Sequence, residues 1–357
     1  MSVEKKNIRL LSLEELIERM ATIGEPKFRA KQVYEWIWKK GVHSFEEMKN
    51  VSKKVYEFLD ATFFIDGIQI TDQQHSSDRT IKCAFTTHDG HITEGVLIPT
   101  TERITACISS QVGCSLACKF CATGRLKLMR NLSPGEIYDQ VMLLNQLSEK
   151  HYGQRLSNIV FMGMGEPLLN YNNMLKGIDQ ITSPNGLGFA PKRITVSTAG
   201  IAKMIRKLGD NEVKFNLALS LHAANDEKRS EIMEINESNN LDTLAEALIY
   251  FNEKTGSRIT FEYIIFRDFN DSRRDASELA DFCKHVPVKI NIIEYNPIDD
   301  GEFQQADSKK VNDFANYLES LNLVVNVRRS RGKDIDAACG QLANKNKSIA
   351  LKERVLK

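Results

Sequence analysis

Three cysteines, Cys114, Cys118 and Cys121, stand in a C-x3-C-x2-C run, Cys114-Ser115-Leu116-Ala117-Cys118-Lys119-Phe120-Cys121. The run offers three thiolates to one metal centre. Iron–sulfur clusters are held by cysteine thiolates, commonly four, so a cubane on this run keeps one iron open for chemistry. Zinc is the alternative, but it needs a fourth ligand, and the nearest histidines, His91 and His151, fall in other elements. Inert buried thiols are the third reading. Further along stand Gly163-Met164-Gly165-Glu166-Pro167 and Ser220-Leu221-His222, then a cysteine, Cys339, near the end of the chain. Gly163 and Gly165 would let backbone approach a ligand closely.

The elements that must position these residues can be outlined. Ser12 with Glu15 makes a capping-box pattern before Leu13, Leu16, Ile17 and Met20. Helices are predicted from Phe28 to Lys40 and after Ser52. Strands Arg79–Phe85 and His91–Ile98 flank His88-Asp89-Gly90, a hairpin turn. Residues 1–98 thus read as a small α+β accessory domain, followed by a core over 99–340 and a basic tail over 341–357. In the core, predicted strands at Ile104–Ser109, Asn158–Phe161, Arg193–Ser197, Phe215–Leu221, Ile259–Phe266, Lys289–Tyr295 and Leu323–Arg328 alternate with helices near 134–149, 171–182, 241–255, 273–284 and 307–321. That alternation implies an α/β fold with a parallel sheet and crossover helices. In barrel-like α/β folds chemistry sits at the C-terminal strand ends, where the cysteine run, the Gly163–Pro167 loop, Ser197, Ser220–His222 and Asn296 all fall.

The chain has 357 residues, 42% hydrophobic and 27% charged, with a formal net charge of +1. That balance alone names no partner. Its basic residues are nevertheless clustered: Arg125, Lys127 and Arg130 after the cysteine run, Arg328, Arg329, Arg331 and Lys333 before Cys339, and Lys345, Lys347, Lys352, Arg354 and Lys357 in the tail. Such clusters are either an RNA-phosphate surface or solvated surface charge. No apolar run is long enough to span a bilayer and the N-terminus lacks a signal-peptide stretch. With cysteines of this kind, a reducing cytoplasm is expected.

Four segments together, Gln111-Val112-Gly113-Cys114 with the cysteine run, Gly163-Met164-Gly165-Glu166-Pro167-Leu168-Leu169-Asn170, Ser220-Leu221-His222-Ala223 and Asp334-Ile335-Asp336-Ala337-Ala338-Cys339-Gly340-Gln341-Leu342, resemble the RlmN/Cfr family of radical S-adenosylmethionine (SAM) RNA methyltransferases. The resemblance implies a partial (β/α)6 radical SAM barrel with an N-terminal accessory domain. It implies a 4Fe–4S cluster on Cys114, Cys118 and Cys121, and SAM used twice per turnover. Gly165, Glu166, Ser197, Ser220, Leu221, His222 and Asn296 match family positions that contact SAM, although His222 is equally read as a structural histidine. Adenine C2 is electron-poor and cannot attack a methyl group by displacement. The family solution, carried over here, has Cys339 take a methyl group as thiolate nucleophile. An S–CH2 radical formed on Cys339 then adds to the ring, and Cys107 resolves the adduct as a disulfide.

On its own, a strand cysteine such as Cys107 would be read as a small buried hydrophobe, the reading kept for Cys83 and Cys283. Glu94 matches the family's proton acceptor. It falls in step with Ile92, Val96 and Ile98, and desolvating a carboxylate strengthens it as a base; Asp89 and Glu102 are near enough that spacing does not exclude them. The Pro167-Leu168-Leu169-Asn170 stretch resembles the RlmN pattern and favours C2 over the Cfr-like C8 position. The implied partners are 23S rRNA near the peptidyl-transferase centre, the tRNA adenosine 3′ of the anticodon, and a reductase such as flavodoxin or ferredoxin, acting on a monomer. A zinc-binding RNA module without catalysis is the rival of a different class.

Overall fold

A computed structural model describes residues 5–344. Three helices, α1 (Leu13–Ala21), α2 (Lys27–Trp38) and α3 (Lys53–Thr62), lead the chain. The Ser12–Glu15 capping box forms as expected: Ser12 Oγ accepts from the Glu15 amide at 3.1 Å and Glu15 accepts from the Ser12 amide at 2.7 Å. Ser52 caps α3 in the same way, accepting from Val55 N at 3.3 Å. The buried faces of these helices, including Leu16, Met20, Val33, Ile37, Val55 and Leu59, join one continuous core with the rest of the molecule.

Ten strands follow: β1 (Gln69–His75), β2 (Ile81–Thr86), β3 (Ile92–Pro99), β4 (Ile104–Cys107), β5 (Asn158–Phe161), β6 (Ile194–Thr198), β7 (Asn216–Ser220), β8 (Ile259–Ile265), β9 (Val288–Glu294) and β10 (Val325–Arg328). They make a single sheet whose spatial order equals their chain order, β1 and β10 at its edges. β1 through β4 pair antiparallel and β4 through β10 pair parallel. The parallel part needs crossovers, supplied by α4 (Pro134–Tyr152), α5 (Tyr171–Thr182), α6 (Ala202–Asp210), α7 (Asp226–Ile232) with α8 (Leu241–Thr255), α9 (Arg273–Phe282) and α10 (Ser308–Ser320). This is the expected partial barrel. Its strands are near-continuous apolar runs because helices cover them; every residue of β8, Ile-Thr-Phe-Glu-Tyr-Ile-Ile, is buried.

The hairpin at 87–91 closes through Thr87 N to His91 O and Gly90 N to Thr87 O, both 2.9 Å, with Gly90 at φ +81°. The sheet runs unbroken across residue 98, since β3 pairs with β4 from Val96–Cys107 to Pro99–Ile104. β1, α6 and α7 were not individually anticipated. β1 is an exposed edge with no apolar alternation, and α7 spans only Asp-Glu-Lys-Arg-Ser-Glu-Ile. The tail cations from Lys345 onward lie outside the described residues. Among those described, no helix is long and apolar enough to cross a membrane.

α4 anchors the N-terminal helices to the barrel. Ser133 and Glu136 form its capping box, Pro134 occupies the first turn, and Gly153 at φ +65° ends it. Mid-helix, Asp139 is fully buried and takes Arg9 Nη1 at 2.6 Å and the Ile68 amide at 3.3 Å. Burial opposes the Arg9 charge, but Asp139 outweighs it and holds the guanidinium above its ordinary value. Nearby Asp66 is pushed up to about 6, chiefly by burial. Removing one partner of a buried pair leaves an uncompensated charge, at a cost of about 3–5 kcal/mol. Asp139→Ala should therefore lose about that much stability in urea unfolding, whereas Arg9→Met with Asp139→Leu recovers most of it. A loss under about 1 kcal/mol in the single variant would show that Arg9 does not depend on Asp139.

Candidate active site

The C-terminal ends of the parallel strands open into a cleft of about 870 Å3 that is continuous with solvent. Cys114, Cys118 and Cys121 line it, with Gly163, Gly165, Glu166, Ser197, Ser220, His222 and Cys339. A second cavity of about 760 Å3 adjoins it, lined by Val96, Ile98, Cys107, Arg328, Arg329 and Arg331. Cys339 and Gly340 line both, as do Cys121 and Gly163. Cys339 therefore stands at the junction, whereas Cys107 faces the second cavity alone.

The cysteine loop is built from backbone bonds. Gly113 has φ +80°, and a Cβ there would fall 2.1 Å from the Lys127 carbonyl oxygen; only glycine fits so close a backbone approach. Cys121 N donates to Cys118 O at 3.1 Å and Gly124 N to Cys121 O at 3.0 Å, curling the loop inward. Burial pushes the Cys114 thiol up to about 11 and raises those of Cys118 and Cys121 as well. Such thiols are protonated until a metal displaces the proton. Among the described residues, the one group of potential ligands whose donor atoms all lie within 4.8 Å of one another is His88, Asp89 and Glu136. That group does not include the three thiols of the cysteine loop. As three soft donors, they fit a 4Fe–4S cluster. The His88 group is an ion-pair cluster: Arg130 fills it, at 2.6 Å from Asp89 and 2.7 Å from Glu136.

Glu166 is buried at the cleft wall without a cation. Its carboxylate accepts from Leu168 N at 2.9 Å and Ala199 N at 2.7 Å. Burial raises its pKa and these amides partly restore it. Gly165, at φ +93°, packs on Gln111, whose Oε1 accepts from Glu166 N at 2.8 Å. Ser197 and Ser220 hydroxyls meet at 3.4 Å. His222, at φ +58°, accepts from Ile264 N through Nδ1 at 3.1 Å and packs edge-on to Phe120. Burial and then Arg229 lower its pKa to about 3. It is both structural and cleft-lining, a neutral ring with Nδ1 engaged.

Not every expected residue faces the cleft. Leu221 is fully buried behind it, and Asn296 is behind it too, donating to Cys339 O at 3.3 Å while its own Oδ1 has no partner. Glu94 lines neither cavity. Its carboxylate is buried, accepts from Ala343 N at 2.9 Å and Asn344 N at 3.2 Å, and lies 3.9 Å from Lys82 Nζ. Asp89 is committed to Arg130. Burial raises the Cys107 thiol to about 12, with Cys339 adding to it, and burial raises Cys339 too.

Three contributors were not among the expected site residues, although Gln111 stands in the motif that opens the cysteine run. Arg229, fully buried in α7, donates to Ala199 O at 2.6 Å, Leu221 O at 3.2 Å and Asn236 Oδ1 at 2.7 Å. Gln111 supports the glycine loop, as described. Glu262 reaches the cleft from β8 and holds Arg328 at 3.3 Å.

A parallel barrel whose upper rim gathers three unpaired thiols, a glycine-rich loop and a buried glutamate defines a radical SAM enzyme. A family model described as "Radical SAM superfamily" matches residues 108–280, and one described as "Ribosomal RNA large subunit methyltransferase N-terminal domain" matches residues 6–65. Proteins named "Probable dual-specificity RNA methyltransferase RlmN" are similar along nearly the whole chain. That from Cytophaga hutchinsonii is 59% identical over 96% of this chain and 94% of its own. That from Salinibacter ruber is 42% identical over 96% and 95%. A radical SAM methyltransferase from Sphaerobacter thermophilus of known structure superposes with a TM-score of 0.88 and 36% identity, over 94% of this chain and 99% of that one. The chain belongs to the RlmN family of radical SAM RNA methyltransferases, with a 4Fe–4S cluster and SAM as its cofactors.

Two outcomes are expected. In Gly165→Ala a new Cβ would lie 2.5 Å from Gln111 Cβ at a φ suited to glycine. SAM affinity, measured by equilibrium dialysis on cluster-loaded protein, should fall at least about tenfold with the cluster absorption retained. For His222, the folded value of about 3 lies below the ordinary 6.5, so the unfolded chain binds its proton first. The His222 contribution to stability is complete above about pH 6.5 and is lost as the pH falls towards 3. Urea midpoints at about pH 7.5 and about pH 5 should therefore diverge less in His222→Gln than in the parent protein; equal divergence would show that the ring does not stay neutral.

Proposed function

We propose that this enzyme methylates C2 of an adenosine in 23S rRNA near the peptidyl-transferase centre and the tRNA adenosine 3′ of the anticodon. The observation that carries this reading is Cys339 at the junction of two cavities, Cys114, Cys118 and Glu166 in one alone, Cys107 in the other alone. A methyl carrier must face a donor on one side and an acceptor on the other. Cys114, Cys118 and Cys121 would hold the cluster, and Gly165, Glu166, Ser197, Ser220 and His222 would line the SAM site. Once bound, cluster and SAM supply a methyl group and a hydrogen-abstracting radical. Cys339 carries the methyl group on its sulfur and presents it to the second cavity. Cys107, on β4, is the thiol that attacks the Cys339 sulfur to release the product as a disulfide forms. Glu94 takes the ring proton, which requires Ala343 and Asn344 to leave its carboxylate.

The relatives' names speak of dual specificity and RNA, which supports both substrates. An unstacked base in a loop is the cheapest to bring into an enclosed pocket. In this reading residues 1–98 are the accessory domain that helps grip RNA, residues 99–340 the core, and 341–357 the tail. The arginines before Cys339 are not the free cations their sequence suggested. Arg328 pairs with Glu262, Arg329 and Lys333 with Glu294, and Arg331 with Asp78, so their charge is largely spent within the chain. A reduced flavodoxin or ferredoxin would supply electrons to a monomer in the cytoplasm.

Cluster-loaded protein, given SAM, a reductant and unmodified 23S rRNA, should yield 2-methyladenosine in nucleoside digests read by mass spectrometry. The peak should vanish in Cys339→Ala. An 8-methyladenosine peak would overturn the position, and no methylated adenosine from an enzyme that cleaves SAM would overturn the RNA reading.

A further inference from the structure

The two edges of the sheet, β1 and β10, do not hydrogen-bond to each other, yet polar side chains bridge the loops beside them. The turn joining β1 to β2 holds Ser76, Ser77 and Asp78; the segment after β10 runs from Arg329 to Asn344. Asp334 accepts from Ser76 Oγ at 2.5 Å and from Ser77 N at 3.0 Å. In return Asp78 accepts from Gly332 N at 2.8 Å and pairs with Arg331 Nε at 3.1 Å. Gly332, at φ +66°, permits this approach, since a Cβ there would fall 3.0 Å from Thr80 Cγ2. The exchange is reciprocal: each loop supplies one carboxylate and receives the other. Five residues after Asp334 comes Cys339.

Beyond Cys339 the chain is tied elsewhere. Ala122 N donates to Gly340 O at 2.7 Å and Thr123 Oγ1 to Leu342 O at 2.6 Å, both from the cysteine loop. Cys339 therefore hangs between two anchors, with left-handed backbone on either side at Asp336 (φ +50°) and Gly340 (φ +83°). Cys107, by contrast, is fixed inside the sheet by its pairing with Val96 and Val160. Asn296 also holds Cys339 O, at 3.3 Å, and Ala337 and Leu342 pack in one buried cluster with Cys107 and Val96, so where Cys339 lies relative to Cys107 depends on the anchors together with this packing.

We propose that Asp78 and Asp334 are positioning residues: their clasp closes the open side of the sheet and holds Cys339 where its sulfur can meet that of Cys107. The proposal rests on the reading of these two cysteines as methyl carrier and resolving thiol. If the clasp served stability alone, loosening it would lower the unfolding temperature and leave the encounter of the thiols unchanged.

The test is the equilibrium in which Cys107 and Cys339 thiols with one glutathione disulfide give the protein disulfide and two glutathione thiols. It is run anaerobically on cluster-loaded protein, the linked peptides being quantified by mass spectrometry. In Asp334→Ala and Asp78→Ala the equilibrium should shift towards the thiols at least about tenfold, with iron content and melting temperature close to the parent's. Asp334→Asn keeps a carbonyl acceptor and should restore most of the shift. Ser76→Ala removes one bond and should move it less, in the same direction, which keeps the test open if the Asp78 variant fails to fold. With RNA and SAM, the aspartate variants should release more 5′-deoxyadenosine per methylated adenosine. Unchanged disulfide equilibria in variants that fold would overturn the clasp and leave the cysteine roles standing. No Cys107–Cys339 disulfide in the parent protein would overturn both.

Discussion

The site depends on a sheet that its own hydrogen bonds do not close. Seven parallel strands from β4 to β10 curve far enough to gather the cysteine loop, Gly165, Ser197, Ser220 and His222 at one rim. The antiparallel strands β1 to β3 extend that sheet beyond β4. The gap between its edges is spanned by the chain after β10, which among the described residues has no strand of its own and only one short turn at Lys333–Ile335. An open barrel leaves room for a large substrate, but the missing wall must then come from irregular chain. Here that wall carries Cys339.

At the rim, two buried ionisable groups, Glu166 and Arg229, are satisfied largely by backbone, with Asn236 adding a side-chain acceptor for Arg229. Glu166 accepts the N–H of Ala199 and Arg229 donates to its carbonyl, at 2.7 and 2.6 Å. The loop after β6 is held from both sides. Burial lowers the Arg229 value to about 10, still well above neutrality, so the guanidinium stays charged. Its bond to Leu221 O joins the β7 loop to the same frame. His222, held neutral by burial and that neighbouring charge, adds no competing cation. A cofactor with charged amino and carboxylate groups would meet a frame whose dipoles are already oriented.

How much of this could be read from residues alone follows from the range of the interactions. Local chemistry was legible: the Ser12 cap, the Gly90 turn and the apolar strands came through because neighbours in sequence decide them. The cysteine run and the Cys339 motif were legible because rare residue types at fixed spacing admit few uses. Arg229 was not, since it sits in a short helix of six polar residues and one isoleucine, and its backbone partners lie on loops after β6 and β7. The ion pairs of the arginines before Cys339 were not legible for the same reason. Their carboxylates, Asp78, Glu262 and Glu294, are distant in sequence and become partners only when the sheet brings β2, β8, β9 and β10 to one end. A charge run reveals its sign but not its neutralisation.

Glu94 shows the limit most clearly. Its alternation with Ile92, Val96 and Ile98 correctly placed it in a strand with a buried face, but β3 is covered on both faces, with Thr93 and Leu97 buried as well. What covers Glu94 is the end of the segment that presents Cys339, through the amides of Ala343 and Asn344. Carbonyls of that same segment bond to the cysteine loop, and its Asp334 to the β1–β2 turn. Cys339, the cover over Glu94 and the chain that spans the open side of the sheet are therefore one stretch. Ala343 and Asn344, which would have to leave Glu94, stand only four and five residues after Cys339. In the proposed reading, access to Glu94 and presentation of Cys339 are then not independent events but two consequences of where one irregular segment is tied.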